Sequence, residues 1–142
     1  KQPPSTAELV IVGAGLRGII FASTFAANGG QDLVVLEKSG VIGGVWHFHA
    51  NPFSRVQNSE PAYRMPVRRN FKGYLHQPYA HEVLDSCRKI VEQDNMQDRI
   101  FLNTEVERVA PNTDGRWIIA GKQTGLRPVR VIGKVAVLCL QI

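Results

Sequence analysis

The 142-residue sequence predicts an α/β domain: a parallel βαβ sheet with a small antiparallel β-meander inserted before its last strand. Three observations predict it. The apolar runs Leu9–Val12 and Leu33–Leu36 bracket a helical stretch, and strand, helix, strand within about 30 residues is a βαβ unit with a right-handed crossover. Thr104–Ala110 alternates, Pro111–Gly115 is a turn signal, and Trp117–Ala120 and Val129–Ile132 follow as short apolar runs, which is the pattern of a meander. A last apolar stretch, Lys134–Ile142, reads as a further buried strand through Val135, Val137, Leu138 and Leu140.

The elements follow in order. Residues 1–7 are polar with two prolines and read as a flexible lead-in, and residues 8–142 read as one domain. Leu9–Val12 is β-branched and apolar at every position, as a strand buried on both faces must be. Leu16–Ala27 carries apolar residues all round and stops at Gly29-Gly30, which predicts a buried helix. Residues 38–77 show no periodicity and hold Gly40, Gly43, Gly44, Pro52, Pro61 and Pro66. A loop of that length inside a compact domain is usually functional or ligand-supported. Helical spacing returns over Pro78–Asn95, with Val83, Leu84, Cys87, Ile90 and Val91 on one face and Asp85, Arg88, Lys89 and Glu92 outward. Arg99–Leu102 is a short strand.

Composition removes several function classes. The longest apolar run, Val135–Leu140, is far short of the roughly 20 residues a membrane-spanning helix needs. Two cysteines, Cys87 and Cys139, cannot make a disulfide scaffold. Both read as buried small hydrophobes, which fits a reducing compartment. There is no signal peptide. The chain opens at Lys1 rather than Met, so it reads as processed or truncated, and a targeting segment removed before Lys1 stays open. The net charge of +5 lies in the C-terminal strands, where Arg116, Lys122, Arg127, Arg130 and Lys134 meet no acid. A second basic cluster is Arg64, Arg68, Arg69 and Lys72. No zinc-finger spacing or aromatic-rich sheet signature accompanies the charge, so nucleic acid is set aside in favour of solvated strands or a docking surface. His47, His49, His76 and His81 lack the carboxylate or cysteine set of a metal site, and metal is set aside too. No triad or paired-carboxylate arrangement supports a catalytic residue. The aromatic loop 46–79, with Trp46, Phe48, Phe53, Tyr63, Phe71, Tyr74 and Tyr79, reads either as a ligand or partner surface or as rings that pin the loop to the core.

The chemistry-bearing pattern is Gly13-Ala14-Gly15-Leu16-Arg17-Gly18, a G-x-G-x-x-G between strand and helix. Gly13 allows the tight turn, Gly15 lets a pyrophosphate approach the backbone, and Gly18 lets helix and strand pack closely. The N–H groups near Leu16 and Arg17 then face the phosphates, helped by the helix dipole. Glu37 closes the second strand 19 residues after Gly18, where a carboxylate accepts hydrogen bonds from both ribose hydroxyls of an adenosine and repels a 2′-phosphate. Together these predict dinucleotide binding.

The next residues, Lys38-Ser39-Gly40-Val41-Ile42-Gly43-Gly44-Val45-Trp46, hold an acid-then-G-G pattern that resembles the FAD-binding domain of two-dinucleotide-fold flavoproteins. The form Gly43-Gly44-Val45-Trp46 resembles class B flavin monooxygenases, that is, flavin-containing monooxygenases and Baeyer–Villiger enzymes. Ser54–Asn58 with Tyr63, the helix of residues 80–94 and Asn103–Val109 add weaker similarity. The resemblance implies a Rossmann-like FAD-binding domain. It implies that the Gly43-Gly44 backbone runs beside the FAD pyrophosphate, that the loop after it approaches the flavin, and that the backbone at Val106 contacts adenine. The cofactor-binding set it implies is Gly13, Ala14, Gly15, Leu16, Arg17, Gly18, Glu37, Lys38, Gly43, Gly44, Trp46 and Val106. In a complete enzyme of this kind the flavin takes hydride from NADPH and passes one oxygen of O₂ to a soft nucleophile or ketone.

The departures point elsewhere. Val137-Leu138-Cys139-Leu140-Gln141-Ile142 stands where the family has an A-T-G turn, and the second glycine fingerprint for NADPH is absent. Two readings follow. The chain is the FAD-binding part of a flavin-dependent monooxygenase, unable to turn over alone. Alternatively it is a non-catalytic accessory subunit that keeps the scaffold, holds FAD weakly or has lost it, and docks on a larger complex through loop 46–79 and the basic C-terminal strands.

Overall fold

The computed structural model describes residues 1–57, 77–125 and 127–140. In chain order the elements are β1 (Thr6–Val12), α1 (Leu16–Ala27), β2 (Leu33–Leu36), α2 (Val45–Phe48), α3 (Ala80–Gln93), β3 (Ile100–Phe101), β4 (Thr104–Pro111), β5 (Trp117–Gln123) and β6 (Arg127–Leu138). They form one six-stranded sheet in the order β3-β2-β1-β6-β5-β4. β1, β2, β3 and the second half of β6 run parallel, while β4, β5 and the first half of β6 form the antiparallel meander.

The alternation of β1 and β2 builds two cores. Leu9, Ile11, Leu33 and Val35 face one way, against Ile19 and Ala22 of α1, Ile90 and Val91 of α3, and Met96. Val10, Val12, Val34 and Leu36 face the other way, against Ile119, Val129 and Val131 of the meander. Helices, parallel sheet and meander therefore make three layers, and the middle strands are buried on both faces as their unbroken apolar sequence requires. Ile11, Ile19 and Ile90 are fully buried. Each contributes about 1.5–3 kcal/mol by that burial.

The elements depart from expectation in five places. β1 begins at Thr6, because Thr6 and Ala7 pair with Ile132 and Gly133, so the lead-in shortens to residues 1–5. The two strands expected at Val129–Ile132 and Lys134–Ile142 are a single strand, β6. Arg127–Gly133 pairs with β5 and Ile132–Leu138 pairs with β1. The end of β6 is not a buried strand either. Val135, Leu138 and Leu140 are all about half exposed, because β1 lies along one side of this segment and no described strand lies along the other. Helix α1 spans the expected residues, but Phe21 stands half out of the fold, so the helix is one-sided rather than buried all round. Residues Val45–Phe48, within the stretch expected to be a loop, form the one-turn helix α2.

Helix α3 is the amphipathic helix its spacing predicts. It starts with Glu82 accepting from the Tyr79 backbone N–H in a capping box and buries Val83, Cys87, Ile90 and Val91. Residues 54–57 and 77–80 are clasped at its start. Val56 N–H donates to the Pro78 carbonyl, Ala80 N–H donates to the Ser54 carbonyl, and the Arg55 guanidinium lies 3.9 Å from the Tyr79 ring centroid. Tyr63, Phe71, Tyr74, His76 and the Arg64, Arg68, Arg69, Lys72 cluster lie outside the described residues. Among the described residues, no helix is long and apolar enough to cross a membrane.

Candidate functional site

The strand order places β1 and β6 side by side, although the chain leaves β1 towards β2 and β3. The carboxyl ends of β1 and β6 thus flank the point where the order reverses, which is where open α/β sheets form their ligand crevice. The glycine loop sits at this point.

Four of its features are fixed by the fold. Gly13 takes a φ of +103°, and its N–H donates to the Leu36 carbonyl at 2.8 Å. Gly18 is where α1 crosses β1: a Cβ there would stand 1.9 Å from the Gly13 carbonyl oxygen. Ala14 is fully buried, and its N–H donates to Glu37 Oε2 at 2.7 Å. Gly15 begins α1 with ordinary extended angles, φ −72° and ψ −176°.

The second glycine pair packs directly on the first. Gly43 N–H donates to the Ala14 carbonyl at 2.9 Å, and Gly15 and Gly43 form a parallel bridge. Gly43 has a φ of +112° and lies under Leu84 of α3, while Gly44 has a φ of +54° and starts α2. A Cβ on Gly44 would come within 3.0 Å of the Gly15 Cα. Two turns separated by 28 residues are thereby held back to back. Trp46 sits in the first turn of α2, half-buried, with its N–H donating to the Gly43 carbonyl at 3.2 Å.

Glu37 is 7% exposed and does more than close a strand. Besides the bond from Ala14, its Oε1 accepts from the Ser39 N–H at 2.8 Å. Its own N–H donates to Phe101, and its carbonyl accepts from Thr104 at 2.8 Å. The carboxylate is thus held by two backbone donors, yet a carboxylate offers about four acceptor positions and two remain. Lys38 is exposed beside it. The Thr104 bond draws the start of β4 to the end of β2. Val106 lies two residues further on, at the β-bulge before Arg108, with its side chain against the meander-side core.

Several site residues carry no signal in the sequence. Ser39 orients Glu37 and accepts from the Asn103 N–H at 2.8 Å. Asn103 takes a φ of +52° and lies against Gly40. Cys139 directly follows β6, with its N–H on the Val12 carbonyl at 2.8 Å, and its own carbonyl oxygen is 2.7 Å from where a Gly13 Cβ would be. It is half-buried rather than the core residue its apolar run suggests, whereas Cys87 is buried as expected. Apart from the Ser39–Glu37 bond, each of these contacts joins segments far apart in the chain, which local pattern does not register.

Burial pushes the Cys139 thiol above its usual pKa, and the Arg17 guanidinium draws it part of the way back. A raised pKa lowers the thiolate fraction at any given pH. Cys139 in the native chain is therefore expected to alkylate more slowly at pH 8 than a small free thiol, and Cys87 only on unfolding. Mass spectrometry after a timed iodoacetamide pulse reads both rates, and rapid native labelling of Cys87 would contradict the packing of α3.

The other candidates disperse. His47 lies edge-on to Phe48 and His81 stacks on Tyr79. Part of the basic excess is locally matched: Lys122 Nζ lies 2.8 Å from Glu107, and Arg116 2.7 Å from Asp114.

A family model described as an NAD(P)-binding Rossmann-like domain matches residues 11–84, which takes in both glycine turns and Glu37. The chain belongs to this NAD(P)-binding Rossmann-like family. Its homologues are FAD-binding monooxygenases, flavin-containing monooxygenases and Baeyer–Villiger enzymes. The FAD-binding monooxygenase ausC of Emericella nidulans is 25% identical over 87% of this chain and 19% of its own length. The flavin-containing monooxygenase FMO GS-OX2 of Arabidopsis thaliana is 24% identical over 88% of this chain and 33% of its own. A Baeyer–Villiger monooxygenase of Pseudomonas aeruginosa is 24% identical over 72% of this chain and 20% of its own. The chain thus spans about a fifth to a third of the length of the curated relatives it matches. Among solved structures, an oxidized steroid monooxygenase bound to NADP superposes with a TM-score of 0.82 at 19% identity, over 94% of this Rossmann-like chain and 26% of that one. A bacillithiol disulfide reductase from Bacillus cereus gives 0.80 at 17%, over 94% and 39%. These superpositions share the fold.

Proposed function

We propose that this Rossmann-like domain binds FAD through its adenosine diphosphate half, as the cofactor-holding part of a flavin-dependent monooxygenase. Gly15 carries this reading. Gly13, Gly43 and Gly44 need glycine for their positive φ, and Gly18 for its contact. Gly15 needs it for neither reason: its angles suit any residue, and an added Cβ would meet only the Gly44 backbone, Cα at 3.6 Å and N at 4.0 Å, both ordinary contacts. Nothing in the fold requires a bare Cα there. A ligand that must touch the backbone at the start of α1 does.

In this arrangement the free N–H groups of Leu16 and Arg17 in the first turn of α1 hold the pyrophosphate. The remaining acceptor positions of Glu37 take the ribose hydroxyls, with Lys38 beside them. Ala14 fixes the Glu37 carboxylate, the Gly43-Gly44 turn closes the far side of the loop with Trp46 behind it, and the Val106 backbone borders the adenine. The isoalloxazine supplies the redox chemistry when FAD is bound. The residues of this chain bind and orient it, and none is assigned a catalytic role. The apolar exposure of Val135 and Leu138 along the end of β6, and of Leu140 just after it, favours a second reading, an accessory subunit seated on a larger assembly.

The test pairs the 142-residue chain with Gly15→Ala. The wild type is expected to take up FAD at one equivalent, seen as a flavin spectrum surviving gel filtration. Gly15→Ala should melt only a few degrees below it, at most about 5 °C, the cost of an alanine in place of glycine at the N-cap of α1. It should lose FAD affinity by at least about tenfold, one charge-assisted contact's worth. A wild-type chain that stays colourless in excess FAD, or a Gly15→Ala chain that binds equally well, would overturn the proposal.

A further inference from the structure

The meander buries one face and leaves the other open, and the open face is not built as a solvated one. Val109, Ile119 and Val131 lie side by side in register and turn inward to the core, so the residues between them in each strand turn outward. A one-sided antiparallel sheet keeps its apolar residues inward and its polar ones outward. The middle strand breaks this rule. β5 presents Ile118 and Ala120 outward on either side of the buried Ile119, so it is apolar at successive positions, as β1 and β2 are. Those two strands are covered on both faces. The elements that pack most closely on β5 are its sheet neighbours β4 and β6, which lie beside it rather than over it, and Ile118 and Ala120 stay partly exposed.

The register sorts this outer face into rows across the strands. Ala110, Ile118 and Ile132 form an apolar row. Arg108, Ala120 and Arg130 form the next, two long cationic arms with a single methyl group between them. Beyond it, Lys122 Nζ lies 2.8 Å from Glu107 and 3.8 Å from Glu105, so its charge is matched. Arg108 and Arg130 are exposed, and among the described residues no ion pair engages either. Strands one apart from a shared neighbour lie about 9–10 Å from each other. The two arms therefore flank a shallow trough that runs along β5 over Ile118 and Ala120.

We propose that this face docks an acidic amphipathic helix of a protein partner, laid along β5 with its apolar stripe on Ile118 and Ala120 and with carboxylates on both flanks paired to Arg108 and Arg130. The spacing of the two arms matches one helix, whose diameter with side chains is about 10–12 Å. The apolar row favours a partner with an apolar stripe, which a phosphate backbone does not offer. Glu105 and Glu107 at one end of the face repel a continuous polyanion such as duplex nucleic acid or an anionic bilayer, whereas a helix can set its carboxylates only where the arginines stand. Arginine suits the task, since its fork takes both oxygens of a carboxylate. None of these residues belongs to the proposed nucleotide site, and docking here is independent of FAD uptake.

The probe is a synthetic helical peptide of about 18 residues, five turns, with a leucine stripe flanked on both sides by glutamates. It is titrated into the isotope-labelled 142-residue chain and followed by amide shifts. Shifts are expected along β4, β5 and the first half of β6, saturating below about 1 mM peptide. The double variant Arg108→Glu with Arg130→Glu should bind at least about tenfold more weakly. Ile118→Thr, which keeps a β-branched side chain, should bind about threefold more weakly or worse. The same peptide with lysines for glutamates should not bind. The arginine variants change only exposed side chains, so they should melt within about 2 °C of wild type and take up FAD as it does. Shifts that map elsewhere, no shifts at all, or equal binding by the charge-reversed chain overturn the proposal. So does tighter binding of phosphatidylserine vesicles or of a duplex oligonucleotide than of the peptide, which would make the face a polyanion surface. Self-association of the wild type that is lost in Ile118→Thr also overturns it, and would make the face a contact between copies of this chain. A wild-type chain that binds the peptide and no FAD leaves the docking face standing and overturns the nucleotide site alone.

Discussion

Gly18→Ala is expected to cost the domain about 3 kcal/mol or more, although Ala is the better helix former. At an unconstrained helical position the exchange stabilises by about 0.8–1 kcal/mol. Here the new methyl would stand 1.9 Å from the Gly13 carbonyl oxygen and 3.0 Å from the Gly13 carbonyl carbon. Both atoms are backbone, and the Gly13 N–H is itself tied to Leu36, so neither side yields by a rotamer change. The helix must lift from β1, which opens the core built on Ile11, Ile19 and Ala22. Urea unfolding followed by circular dichroism reads the loss as a lowered midpoint. A midpoint at or above wild type would mean that α1 and β1 are not packed as described. Gly121→Ala is the control for a clash away from the glycine loop, since its Cβ would meet the Glu105 carbonyl oxygen, also at 1.9 Å, beside the Val106 backbone. The two variants should lose stability alike.

Glu37→Ala should be damaging in both stability and binding, which distinguishes it from Gly15→Ala. It strands the fully buried Ala14 N–H and frees the Ser39 N–H. A buried donor left without a partner costs about 1–3 kcal/mol, and a lost charge-assisted bond adds to that. A destabilisation of about 2–4 kcal/mol is expected, together with loss of measurable FAD retention. Glu37→Gln separates the two effects. Its amide oxygen can keep one of the backbone donors while its NH₂ faces the other, so it should recover part of the stability and less of the affinity. A Glu37→Ala chain as stable as wild type would show that the carboxylate points outward and that its bonds to the loop do not form in solution.

How much of this was legible beforehand depends on the range of the contact. The first βαβ unit, the limits of α1 and the glycine turn with its closing Glu37 could be read directly, because each is encoded within about 30 residues by periodicity and turn chemistry. The identity of β6 could not. Gly133-Lys134 looks like an interruption between two strands, and only pairing with β5 on one side and β1 on the other makes it a single strand. The exposure of Phe21, Val135 and Leu138 was hidden for a related reason: an apolar residue states a preference for burial, not whether anything is there to bury it. Within the site, the residue types at Gly13, Gly15, Gly18 and Glu37 were legible from spacing. The meeting of Gly15 with Gly44, and the turning of Glu37 inward onto Ala14, were not, because each joins residues more than 20 positions apart.

The sharing of β6 between two layers also sets the order of assembly. Until its last residues are available, β1 has β2 on one side only, and its other side presents unpaired backbone. The segment that fills it lies about 125 residues downstream, a stretch that takes on the order of 6–25 s to synthesise. The meander has no independent anchor either, since its third strand is the same β6. The helix-side core can begin to gather early, but the sheet's central seam closes last and brings both halves together in one step. Amide protons along β1 should therefore exchange only when the whole domain opens, so that a single rate describes the parallel sheet and the meander together.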